Sequence, residues 1–343
     1  SILEREGFAF SPLTPPHTLA ILARATAVNV RVKVARNLAT PASSLRELVD
    51  DANKSVRESL ALNEAAPLEC LGQLATDVEE VVRWAVASNE LTPQAELQAL
   101  ASDPEGRVVV GVARNLSTPP KVLQELALVQ TRYIRSAVAS NRATPPTALQ
   151  ELALDQDVWI REDVASNPST PPAVLQALSL DDTKTQLGHC AVRLAVANNP
   201  LADTKLLEKL ALDQDVEVRV AVAANLASPS SLLEQLSTEN EWTKYAVPEV
   251  RLAVAKNPNT ASTVLQALAL DQSNHWSRGA VVRQAVAGNP FAPPTVLSEL
   301  SFDSDKLVLV ALARNPATTT ETLEALATNQ NVNLSAAVAG NPK

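Results

Sequence analysis

Methionine is absent from this 343-residue chain, and only 3% of the residues are aromatic. Large rings therefore cannot fill the interior. With 46% hydrophobic residues, the core has to be assembled from Leu, Val and Ala through many small contacts. Glycine is scarce at eight residues, and no Gly-rich phosphate loop, Gly-x-Ser-x-Gly elbow or Cys-x-x-Cys pair occurs. His17, His189 and His275 are far apart, in no metal-ligand spacing. These absences exclude the usual signatures of hydrolases, nucleotide enzymes and redox enzymes, so no catalytic residue, metal or cofactor is expected.

Cysteine is limited to Cys70 and Cys190. A protein of this size needs no staple, so both read as small packed residues in a reducing, cytoplasmic setting. No apolar run approaches the roughly 18 residues of a membrane span, and no secretory signal opens the chain. A net charge of −9, with a pI near 5.0, argues against broad attraction to nucleic acid or anionic lipid. Ser stands at position 1, and Asn341-Pro342-Lys343 breaks off inside a recurring motif. A module cut from a longer protein is the expectation.

What the chain does have is periodicity. Asn37, Asn63, Asn89, Asn115, Asn141 and Asn167 follow one another at 26 residues. Asn199, Asn225, Asn257, Asn289, Asn315 and Asn341 continue the series in steps of 26 or 32. A fixed period in this range marks a solenoid built from one supersecondary unit. Counting back from each Asn divides 1–343 into a lead-in (1–11), twelve repeats and a tail (342–343). The repeats are 12–37, 38–63, 64–89, 90–115, 116–141, 142–167, 168–199, 200–225, 226–257, 258–289, 290–315 and 316–341. Nothing is left over for another kind of domain, so the whole chain reads as a single repeat domain.

Each repeat carries two apolar segments. In Thr144-Pro145-Pro146-Thr147-Ala148-Leu149-Gln150-Glu151-Leu152-Ala153, Thr144 suits an N-cap and Pro145 the first helical position. The Leu pair three residues apart, as in Leu149/Leu152, recurs in all twelve repeats and predicts a core-facing helix of about ten residues. The second segment, Asp213 to Asn225 in one repeat, opens on an acidic cap, packs Val218, Ala221 and Val222 inward and ends on Asn. It predicts a shorter helix, terminated by an Asn in the left-handed conformation and often followed by Pro. Arg stands six residues before the Asn in nine repeats, among them Arg135, Arg161, Arg193 and Arg219. An Asp or Glu commonly sits just upstream of it, as at Asp155 and Asp213. A structural ladder of these Arg with acids, and another of Asn141, Asn167, Asn199 and Asn225, explains both series without a ligand; phosphate or carboxylate reading by the Arg is the alternative.

The string Val-Arg-x-Ala-Val-Ala-x-Asn-Pro-x-Thr-Pro-Pro-x-x-Leu-x-x-Leu-Ala-x-Asp resembles the leucine-rich repeat variant family, and Ile160 to Pro172 follows it closely. The resemblance runs from about residue 12 to the end, and the Asp…Val-Arg portion also resembles HEAT repeats. It implies an all-α, right-handed α-solenoid of about twelve two-helix repeats, with some helices 3₁₀-like. Two departures matter. The family's iron–sulfur segment has no counterpart, because two cysteines cannot supply four thiolates. The repeat of 26 is also longer than the family's unit.

Three repeats carry six extra residues between their helices, around Asp182–Cys190, Asn240–Pro248 and Gln272–Gly279. Insertions at one place in a repeat project from one edge, often the binding edge. Five of the six Trp and Tyr residues lie there or at the entrance to a second helix: Trp242, Tyr245, Trp276, Tyr133 and Trp159. Such rings serve as interface anchors; lids over a core short of large side chains are the alternative. With His189, His275 and Arg278 they make the candidate partner-binding set. Arg107 and Arg114 flanking Val110, with acids in later repeats, suggest mixed charge on the exposed face of the second helices. The leading expectation is a non-enzymatic, monomeric protein-interaction scaffold gripping a peptide or protein. Nucleic-acid binding through the Arg positions, a small-molecule accessory role near His189, His275 and Trp276, and a purely structural array are the competing readings.

Overall fold

The computed structural model describes residues 2–184, 190–238, 249–271, 278–328 and 332–343. These form 25 α-helices, with no strand and no 3₁₀-helix among the described residues. The chain divides into two compact units, Ser1–Thr170 and Pro171–Lys343. The first opens with α1 (Ile2–Phe10), then pairs α2 (Pro16–Leu22) with α3 (Val28–Arg36), α4 (Ala42–Leu48) with α5 (Lys54–Ala61), and α6 (Leu68–Leu74) with α7 (Glu80–Ser88). It continues with α8 (Gln94–Leu100) and α9 (Gly106–Arg114), α10 (Pro120–Leu126) and α11 (Arg132–Ser140), and α12 (Pro146–Leu152) and α13 (Val158–Ser166). The second unit pairs α14 (Pro172–Leu178) with α15 (Ala191–Asn198), α16 (Thr204–Leu210) with α17 (Val216–Ala224), and α18 (Ser230–Ser237) with α19 (Glu249–Lys256). It ends with α20 (Ser262–Ala269) and α21 (Arg278–Gly288), α22 (Pro294–Leu300) and α23 (Lys306–Arg314), and α24 (Thr320–Ala327) and α25 (Val332–Ala339). No described helix is long and apolar enough to cross a membrane.

Inside each unit the second helices stack on one another, repeat after repeat, and form the tighter of two rows. Small residues make this approach possible: Ala85, Ala137 and Ala221 are buried four residues before their Asn, and Ala87, Ala139 and Ala223 two before. Both Leu of every first helix are buried, from Leu19/Leu22 to Leu323/Leu326. Each contributes roughly 2 kcal/mol of apolar transfer, against helices so short that each would be marginal alone.

Three local expectations need correction. The first helices have seven or eight residues and the second helices eight to eleven, so the second helix is never the shorter of its pair. Second, Thr144 caps nothing: Pro145 is the N-cap, Pro146 the first helical residue, and no side-chain cap bond forms. The Thr144 hydroxyl instead donates to the Val138 carbonyl at 2.5 Å, in the last turn of α11 where helical N–H groups have run out. Two prolines already set the backbone entry, so the hydroxyl serves the preceding helix. Third, Asn141 is extended at φ −78, ψ 124, not left-handed. Its side chain is engaged across repeats, which an extended backbone permits.

The lead-in is also helical. Helix α1 packs on α3, and Asn37 bonds to the carbonyls of Ala9 and Ser11. Thus α1 stands where the second helix of a preceding repeat would be, with Ser11 in the place of the Asn.

Candidate functional site on the face of the second helices

Two hydrogen-bonded ladders consume the most regular polar positions. Asn141 Nδ2 donates to the Ala113 and Asn115 carbonyls at 2.8 and 3.0 Å, and its Oδ1 accepts from the Ala143 N–H at 2.8 Å. Asn167 repeats this toward Ala139 and Asn141, and Asn225 toward Ala197 and Asn199. Asn199 Oδ1 accepts from the Leu201 N–H. Asn141, Asn167 and Asn225 thus close their own turns and grip the preceding repeat.

The Arg ladder runs the other way. Arg135 Nε and Nη2 reach the two carboxylate oxygens of Asp155 in the following repeat at 2.6 and 3.2 Å. Its Nη1 donates to the carbonyls of Val129 and Gln130 in its own turn. Arg31–Asp51, Arg57–Asp77, Arg83–Asp103, Arg193–Asp213 and Arg283–Asp303 have the same fork. Arg161 donates to the carbonyls of Asp155 and Gln156, and Arg219 to those of Asp213 and Gln214. Burial pushes the Asp155 carboxyl up, but the Arg135 guanidinium and the Asp157 N–H outweigh it and hold it below its ordinary value. These Arg are bound into the stack.

What remains outward on the second helices lies eight, five and one residues before the Asn. On α9 those residues are Arg107, Val110 and Arg114, within one face of the helix. The Arg107 guanidinium lies 4.4 Å from the ring centre of Trp84 on α7. Gly111 makes room for that ring: a Cβ there would sit 3.4 Å from Trp84 Cδ1 and 3.0 Å from Ala87 Cβ. Farther along, Asp163 accepts from the Ser136 hydroxyl, and burial raises its carboxyl despite that bond. In the second unit, Val220, Ala224, Leu252, Ala253 and Lys256 line a depression of ≈ 420 Å³ across α17 and α19.

The residues singled out in the sequence fall unevenly. Tyr133 is 74% and Trp159 46% exposed, both at the entrance to their second helices. Trp242, Tyr245, His275, Trp276 and His189 lie outside the described residues. Arg278 opens α21. Cys70 and Cys190 are buried free thiols. No group of three or more His, Cys, Asp or Glu among the described residues is arranged to hold a metal ion.

One surface escaped the sequence reading. Leu128, Leu154, Leu180, Leu212, Leu270 and Phe302 all sit two residues after the second core Leu, and all are strongly exposed, Leu154 at 85%. Their common register off the helical stripe was the available signal. Leu128 and Tyr133, and likewise Leu154 and Trp159, flank the same inter-helix turns.

The fold that these helices define is an α-solenoid of two-helix repeats. No family model matches the chain, and no curated protein matches it. Among solved structures, a leucine-rich repeat variant with a novel repetitive structural motif is 27% identical, covers 61% of this chain and 80% of its own, and superposes with a TM-score of 0.44. Importin beta, at 11% identity and a TM-score of 0.33, covers 91% of this chain and 47% of its own. Kap121p bound to RanGTP, at 14% and 0.36, covers 95% and 43%.

Proposed function

We propose that this chain is a non-enzymatic binding module for a protein or peptide, held across the outward face of the second helices and along the inter-helix edge. One observation carries the reading: the Asn and Arg positions that recur from repeat to repeat are bonded within the stack, while the registers that vary lie outward on the second helices. Arg107, Tyr133, Glu217 and Leu307 share one register; Trp84, Val110, Leu252 and Gln284 share another. A surface of this kind differs from repeat to repeat, which suits an extended partner. Tyr133 and Trp159, with Trp242, Tyr245 and Trp276, are the proposed edge anchors, and His189, His275 and Arg278 belong to the same proposed edge. The nucleic-acid alternative relied on the Arg ladder, whose guanidiniums are forked onto Asp51, Asp77, Asp103, Asp155, Asp213 and Asp303.

Site-specific photo-crosslinking tests the face. A benzophenone side chain at Val110 or Leu252, on the second helices, is expected to trap a partner from the source cell. The same group at Gln124 or Glu208, exposed on first helices, is expected not to. Equal trapping from both rows would refute the proposal.

A further inference from the structure

Helix α9 is unusual in this acidic chain. Arg107 and Arg114 have no carboxylate partner among the described residues, and both are exposed. They stand two helical turns apart, about 10 Å along the axis, with Val110 between them on the same face. The Trp84 ring lies under Arg107 and fills the notch left by Gly111. The guanidinium carbon lies over the indole, 4.4 Å from its centre, a cation–π contact that uses the ring face and no hydrogen-bond acceptor. The contact tethers the guanidinium without neutralising its charge. Glu105 is the exposed N-cap of α9, and in the register of Val110 the nearest carboxylates, Glu58 and Glu162, are two second helices away on either side. The result is an apolar strip with a cation at each end.

Resting on the binding-module reading above, we infer that this face of α7 and α9 is a recognition site for an acidic peptide segment. The segment would carry one large apolar side chain with a carboxylate on each side, and would lie extended along α9. In an extended chain, residues two apart share a side, so a carboxylate, an aromatic ring and a second carboxylate at alternate positions span about 13 Å. Flexible Arg side chains bridge the difference from their own separation. The ring packs on Val110 and the edge of Trp84, and the carboxylates take Arg107 and Arg114. Charge complementarity selects this occupant over a basic or neutral segment.

The probe is a fluorescein-labelled peptide containing Glu-Ser-Phe-Ser-Glu, measured by fluorescence polarisation on the full chain. Three comparison ligands accompany it: the Gln-Ser-Phe-Ser-Gln form, the form with Ala for Phe, and a labelled oligothymidylate. The acidic peptide is expected to bind, and each peptide change to weaken it. Arg107→Ala/Arg114→Ala is expected to weaken it about tenfold, the combined effect of two exposed charge pairs. Arg107→Glu/Arg114→Glu should abolish it, and Lys205→Ala, on a first helix, should leave it unchanged. Because both Arg side chains are exposed, helical circular dichroism of the variants is expected to match the parent. The proposal is overturned by no binding at about 1 mM, the weak end of specific recognition, by equal affinity for the amide peptide, or by tighter binding of the oligothymidylate. Any of these results with crosslinking from Val110 and Leu252 intact removes the acidic-peptide assignment alone; loss of both removes the display surface as well.

Discussion

Replacing Asn141 with Ala should show what one rung of the Asn ladder contributes. The side chain is 4% exposed and makes three bonds to backbone groups. The Asn115 carbonyl also accepts from the Thr118 N–H, so it keeps a partner. The Ala113 carbonyl lies in the last turn of α9, beyond the reach of the helix's own N–H groups. The Ala143 N–H likewise loses its acceptor. Two backbone groups left unmatched in a half-buried seam cost about 1–2 kcal/mol each, and the third bond adds about 0.5, giving a loss of roughly 3 kcal/mol. Asn141→Asp, though nearly isosteric, should be worse at neutral pH, because a carboxylate oxygen would then face two carbonyls. Urea unfolding followed by circular dichroism measures the loss, with exposed Arg142→Ala as a control expected to stay within about 0.5 kcal/mol. Hydrogen exchange should place the damage at α9 and α11, since each repeat depends on its neighbours. A loss below about 1 kcal/mol would refute the reasoning, showing that water replaces the amide.

Two further outcomes follow from other features. Asp51, Asp77, Asp103, Asp155, Asp213 and Asp303 carry carboxyls that burial raises, but that their Arg and backbone N–H partners bring below the ordinary value. A depressed folded value means that their stabilisation is fully present above about pH 4 and is lost as pH falls through the folded values. Acid titration of thermal stability should therefore drop steeply below about pH 4, and less so in Arg135→Gln; an unchanged slope would count against the ladder. Gly288→Ala should stabilise by about 0.5–1 kcal/mol, because nothing lies within 4 Å of the added methyl. Gly111→Ala should destabilise by about 1 kcal/mol, since the 3.0 Å approach to Ala87 Cβ outweighs the helical gain. Thermal melts showing the same sign for both would contradict this account of the notch.

The repeat, its core stripe and its helical class were legible because Leu149/Leu152 and their equivalents recur at fixed spacing, and burial follows periodicity. The capping chemistry was misread because Thr144 and Asn141 look locally like helix-end residues, whereas their partners are other segments: a carbonyl six residues back for Thr144, and carbonyls 26 and 28 residues back for Asn141. Sequence spacing shows which face a side chain occupies but not which bond it chooses. Helix α1 was missed because Ser11 replaces the Asn that marks every other repeat. The pairing of Arg107 with Trp84 was likewise invisible, since it joins two repeats through a glycine whose role appears only when the helices are packed. Exposed Leu154 and its equivalents were hidden by a composition in which Leu is expected inside.

The forked Arg–Asp contact has its two halves in successive repeats, and this governs how such a chain can be recombined. The couple is also exchanged whole: Val109 and Val129 occupy the positions held elsewhere by Arg and Asp, as do Leu309 and Asn329. Either matched couple is tolerable, whereas one half alone strands a partly buried charge. Excising residues 90–115 would set Arg83 opposite Val129, and excising 116–141 would set Val109 opposite Asp155. Removing both together restores Arg83 to an Asp. The repeats are therefore not interchangeable bricks: each end carries a key, and duplication, deletion or grafting succeeds only where neighbouring keys agree.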